Sequence, residues 1–182
     1  MNWFSTLSIL VAAFLSVFWE SAFPGIRRLL GAQVDLQPPL VVYAGLCSDL
    51  RTVCLLAFLG GLWFDSLSVN PLGASVLPLF TVGLVISLKR ELILKDQVFA
   101  QVVVGLAASA AVPVLTLILL LTLGKAPLFG WGTVWQLIVM SVGGAIATPV
   151  FFAFFEWLQR TFTHRRAPET SFRSDREIRR GR

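Results

Sequence analysis

Four stretches of this chain carry no charge at all: residues 1–19, 66–88, 97–124 and 126–155. Crossing a bilayer takes roughly 20 apolar residues in one helix, and each stretch is about that long or longer. A spanning segment must satisfy its own backbone hydrogen bonds, which in a chain without barrel alternation means α-helix. Composition agrees, with 56% hydrophobic and 14% charged residues against about 25% charged in a soluble domain. The sequence therefore predicts an all-α integral membrane protein.

The net charge of +5 is unevenly placed. Residues 1–159 hold seven basic and seven acidic side chains, so the membrane body is neutral. From residue 160 onward, eight Arg face only Glu169, Asp175 and Glu177. The basic character belongs to the tail, which argues against nucleic-acid binding and for a cytoplasmic end that faces the membrane. Two units follow: a polytopic domain over 1–160 and an Arg-rich tail over 161–182. The interspersed acids, Pro168 and the Ser/Thr residues predict a disordered, solvated tail. Arg165, Arg166, Arg173, Arg176, Arg179 and Arg180 are its candidate contacts to anionic lipid.

Trp3 to Phe23 forms the first expected span, read as uncleaved because no basic segment precedes it. Pro24-Gly25 stops it and a polar loop with Arg27, Arg28 and Asp35 follows. Pro38-Pro39 opens a short run to Leu46, and after Ser48-Asp49-Leu50-Arg51 a second short run covers Thr52 to Phe64. These two runs form either one interrupted crossing or two short helices. Further spans are expected over Pro71–Leu88, within 97–124 and over Trp131–Leu158, with Pro113 and Pro149 inside the last two. With six helices and the N-terminus inside, twelve basic residues lie inside and three outside; this is the preferred scheme. A five-helix scheme buries Asp49 and Arg51 at membrane depth, a cost of several kcal/mol unless they are well bonded. Both schemes place the tail in the cytoplasm. All six Trp lie near expected span ends, where an amphipathic ring prefers the headgroup region. Small residues four apart (Ala57/Gly61, Gly105/Ser109, Gly143/Ala147, Gly144/Thr148) let helices approach closely, and internal packing is their expected use.

Residues 60–73, Gly-Gly-Leu-Trp-Phe-Asp-Ser-Leu-Ser-Val-Asn-Pro-Leu-Gly, join two uncharged runs. Asp65 is the only charge between Thr52 and Leu88. A carboxylate there needs water, a cap or a partner. Asn70-Pro71 predicts a helix start, whose amides suit the Asp65 charge. The stretch reads either as a capped hairpin or as a partner-binding element.

Reactive groups are sparse. His164 is the only histidine and lies in the tail, so no Ser-His pair forms in the body. No P-loop, dinucleotide fingerprint or metal-ligand cluster occurs, and Cys47 and Cys54 read as small packing residues. No enzyme, cofactor or metal site is expected. The acidic side chains fall near span ends, so no buried carboxylate pair is expected. Thr81, Ser109, Thr116, Ser141 and Thr148 are the polar groups deep in the spans, each able to bond back to its own helix. Whether a neutral ligand pocket exists is left open.

Gly60-Gly61-Leu62-Trp63-Phe64-Asp65 followed by Asn70-Pro71-Leu72-Gly73-Ala74 resembles the signature of the MreD family of bacterial rod shape-determining membrane proteins. The resemblance covers roughly residues 3–160. It implies a six-helix bundle related to the substrate-binding subunits of energy-coupling-factor vitamin transporters. It also implies a non-catalytic scaffold in the inner membrane that binds a bitopic MreC-like protein and so links MreB to peptidoglycan synthases. Gly61, Asp65, Pro71 and Gly73 match the pattern. Their implied roles are close packing for the glycines, helix start for Pro71, and a cap or partner ion pair for Asp65. The tail lies outside the pattern. The alternative is a substrate-binding subunit of such a vitamin transporter; its expected Ala-xxx-Ala docking spacing is met here only by Ala12/Ser16.

Overall fold

The structure, a computed structural model, describes residues 3–22, 25, 31–68, 71–93, 97–124 and 130–163. Six helices occur among them: α1 (Trp3–Ala22), α2 (Gln37–Cys47), α3 (Leu50–Ser66), α4 (Val76–Lys89), α5 (Val98–Thr122) and α6 (Trp131–Thr163). The described residues are all-helical with six helices, as expected, but not all six are long enough to be the spans of the preferred scheme. Three stretches are long and apolar enough to cross a membrane, Ser5–Ala22, Val98–Thr122 and Trp131–Thr161, and Val76–Lys89 is a shorter apolar helix. The protein is a membrane protein of helical-bundle class.

The short second helix is the axis of the bundle. Every residue of α2 from Gln37 to Leu46 is buried, and α2 touches all five other helices. Eleven residues at 1.5 Å rise make only about 16 Å, half the hydrocarbon thickness. Such a helix does not need to reach both interfaces, because it faces protein on all sides. Pro38 and Pro39 fit its first turn, where amides have no intrahelical acceptor. At its end the Ser48 amide bonds the Ala44 carbonyl, and Asp49 carbonyl accepts the amides that open α3. The two short runs are thus separate helices joined in a tight hairpin, with Gln37 lying against Gly60 across it.

Around this axis the neighbours are fixed by a few close contacts. Thr6 and Thr52 hydroxyls bond at 2.9 Å, and Phe14 meets Trp63 edge-on, so α1 and α3 run parallel. A Cβ on Gly83 would lie 2.6 Å from Val53 and 2.9 Å from Val41, so α4 packs down onto α2 and α3. In α5 and α6, Gly105 faces Thr148 while Ser109 faces Gly144, an antiparallel contact made by the small residues at four-residue spacing. Tyr43 of α2 stacks on Phe155 of α6 at 4.4 Å and accepts a hydrogen bond from Gln159. Large apolar side chains of α1, α5 and α6 point outward, Phe14, Ile118 and Ile146 among them, as a lipid-facing surface requires.

Four of the five intrahelical polar groups bond back as expected: Thr81 to Leu77, Thr116 to Val112, Ser141 to Leu137 and Thr148 to Gly144. Ser109 departs from that pattern, its hydroxyl being buried without a partner. Cys47 is exposed rather than packed, because it sits on the last turn of α2 where the chain leaves the core, and Cys54 is half-buried.

Candidate functional site

Two features share one end of the bundle, where α1, α3 and α5 finish and α2, α4 and α6 begin. The first is the elbow between α3 and α4. Asp65 is 2% exposed, and both its oxygens are used: Oδ1 accepts the Ser75 hydroxyl at 2.6 Å and Oδ2 the Ser75 amide at 3.0 Å. Gly61, one turn earlier, would place a Cβ 2.9 Å from the Val76 Cα, so only glycine lets α3 approach the start of α4 this closely. The packing expected of Gly61 is present, and Asp65 caps the chain entering α4 as its charge suggested.

Three expectations here need correction. Helix α4 starts at Val76 and not at Pro71: residues 71–75 form turns closed by Ala74 amide to Pro71 carbonyl and Val76 amide to Gly73 carbonyl. The reason is Gly73, whose φ of +90° interrupts right-handed helix. Gly73 thus serves the turn by conformation and not by close packing, since a Cβ there would meet open space. Pro71 fixes a turn residue and not the helix start. Asn70, the expected cap, lies outside the described residues, as do Arg165, Arg166, Arg173, Arg176, Arg179 and Arg180. Asp65 is buried and bonded within its own chain, the cap of its two implied roles.

The second feature is a cavity of about 450 Å³ between α5, α6, the elbow and the segment before α2. Its walls are Phe64 and Ser75 from the elbow, Val112 to Leu120 along α5, Thr133 to Met140 along α6, and Asp35. Ser75, which Asp65 holds, is therefore a wall residue: elbow and cavity are one construction. Gln136 fixes the opposite side. Its Oε1 accepts the Gln33 amide and its Nε2 donates to the Gln33 carbonyl, pinning segment 31–36 to α6.

That segment also brings together a pair of carboxylates. Asp35 Oδ1 accepts the Gln37 amide at 2.8 Å, an Asx turn that opens α2. Glu20 Oε1 accepts the Leu36 amide at 2.7 Å, and its other oxygen is buried without a partner. Burial pushes the Asp35 carboxyl up to about 6, against the pull of the Gln37 amide. The expectation of no buried carboxylate pair is thus corrected in part: Glu20 does end a helix and is half-buried, but the returning loop folds the buried Asp35 beside it. The Asp-x-Gln-Pro-Pro pattern was a readable signal for the turn; nothing in the sequence signalled its neighbour.

No protein-family model, curated protein or solved structure matches this chain.

Proposed function

We propose that the chain is a non-catalytic membrane scaffold of the bacterial cell-wall elongation complex. It binds an MreC-like bitopic protein and so links MreB to peptidoglycan synthases. The chain sits in the cytoplasmic membrane with both termini inside. The observation that carries this reading is that Gly61, Asp65, Pro71 and Gly73, the residues of the MreD-like pattern, all lie in one tied elbow. A rigid elbow holds α3 and α4 at a fixed separation, and their outward apolar side chains then form a fixed surface for a partner's membrane helix.

Affinity purification of the full chain from cells with an intact envelope tests this. A bitopic coiled-coil protein should co-purify, and deletion of the chain should abolish rod shape. Rod-shaped deletion cells, together with a purified chain that brings no such partner, overturn the reading.

A further inference from the structure

The scaffold reading leaves the cavity unused. Its wall is apolar over most of its length, with Val112, Leu117, Leu120, Val134, Leu137 and Met140. Most of its polar groups are already committed inside the protein. Ser75 donates to Asp65, Thr116 to the Val112 carbonyl, and Gln136 exchanges both its bonds with Gln33. Asp35 differs. It is only 5% exposed and lines the cavity; one oxygen takes the Gln37 amide, and no donor among the described residues reaches the other. Behind it, Glu20 leaves a second oxygen buried and unpartnered. The one ion pair among the described residues joins Arg160 to Glu156, at the far end of α6, so no cation among the described residues answers this pair.

We infer that the cavity binds a small amphiphile with an apolar body and a cationic, hydrogen-bond-donating head, the head seated on Asp35. The volume lies in the range of small-molecule sites, which are mostly apolar with a few converging polar groups. A cationic donor supplies the bond that the free Asp35 oxygen lacks, and such charge-assisted bonds are roughly twice as strong as neutral ones. It also balances the charge of a buried carboxylate that no cation among the described residues meets. An anionic head of the same size would be repelled by that carboxylate. The inference is independent of the scaffold reading, since partner co-purification and ligand binding are measured separately.

The test uses the full chain in a nonionic detergent and three probes with the same apolar body: decylamine, decanol and decanoate. Native mass spectrometry counts bound molecules, and tryptophan-fluorescence melting reports folding. One decylamine per chain is expected, bound at least about tenfold more tightly than decanoate. Asp35→Asn keeps an acceptor for the Gln37 amide and so keeps the fold. It should weaken decylamine by about tenfold and leave decanol unchanged. Leu117→Trp fills the cavity and should remove decylamine and decanol alike. Equal binding of amine and carboxylate, amine binding unaltered by Asp35→Asn in a protein that melts as the parent does, or no one-to-one binding of the amine by the folded parent each overturn the inference.

Discussion

Asp65 holds Ser75 by both ends, accepting its hydroxyl at 2.6 Å and its amide at 3.0 Å, ten residues along the chain and across an elbow. The carboxylate thereby closes the turn, caps the approach to α4 and fixes one wall of the cavity.

Removing that carboxylate should be costly. Asp65→Ala leaves the buried Ser75 amide without an acceptor and is expected to destabilise by roughly 3 kcal/mol, since bonds to charged groups are worth about 1.5–3 each. Asp65→Asn retains one acceptor and should cost about half as much; Ser75→Ala loses only the hydroxyl and should cost roughly 1–2 kcal/mol. Thermal melting in one fixed detergent ranks the three. An Asp65→Ala protein as stable as the parent would show that the elbow does not depend on this contact.

The two elbow glycines serve different needs, and a pair of substitutions separates them. Gly61→Ala forces a Cβ to 2.9 Å from the Val76 backbone and should cost about 1–3 kcal/mol by overpacking, with Gly61→Asn worse. Gly73→Ala meets open space but strains a backbone at φ +90° by about 1–2 kcal/mol. Asn tolerates left-handed backbone better, so Gly73→Asn should be milder than Gly73→Ala. The reverse order at either position, read from melting midpoints, would refute the assignment of packing to one and conformation to the other.

Asp35 gives stability a pH dependence. Its carboxyl is raised from 3.8 to about 6 by burial, so the fold favours the protonated form. The stabilisation is fully present below about 3.8 and is lost as pH rises through about 6. Melting followed between about pH 4 and 7 should show a decline worth roughly 2–3 kcal/mol. Asp35→Asn should make that decline shallower without abolishing it, since the Glu20 carboxyl lies beside it; an equally steep curve in the variant would place its origin elsewhere.

The Arg-rich tail should be dispensable for folding. Seven Arg against three acids make 161–182 cationic, so removal of 165–182 should change stability by less than about 0.5 kcal/mol. A peptide of residues 161–182 should bind anionic vesicles at about 1 kcal/mol per basic residue near the surface and release at high salt. A truncated chain that fails to accumulate in membranes would contradict this.

Much of the elbow was legible. A lone carboxylate between uncharged runs needed water, a cap or a partner, and Asp65 is bonded as a cap; Gly61 was expected to pack closely, and it does. The position of the helix start was not legible, because Asn70-Pro71 is a good local signal and the left-handed Gly73 that defeats it declares itself only in the folded chain. Thr116 and Thr148 bonded back to their helices because that requires nothing beyond the preceding turn. Ser109 did not, being pressed against Gly144 of the neighbouring helix.

Charge-free runs by themselves determined that this chain folds as helices and belongs in a membrane, since hydrocarbon tolerates no unpaired backbone and few charges. Those requirements act on each segment alone, so they can be read one segment at a time. Only the tertiary structure decided that the shortest helix lies at the centre, that Glu20 and Asp35 meet, and that a cavity opens beside them. These depend on which helices touch and how loops return, and side-chain shape together with a few polar contacts between distant residues, such as Thr6 to Thr52 and Gln136 to Gln33, settles both.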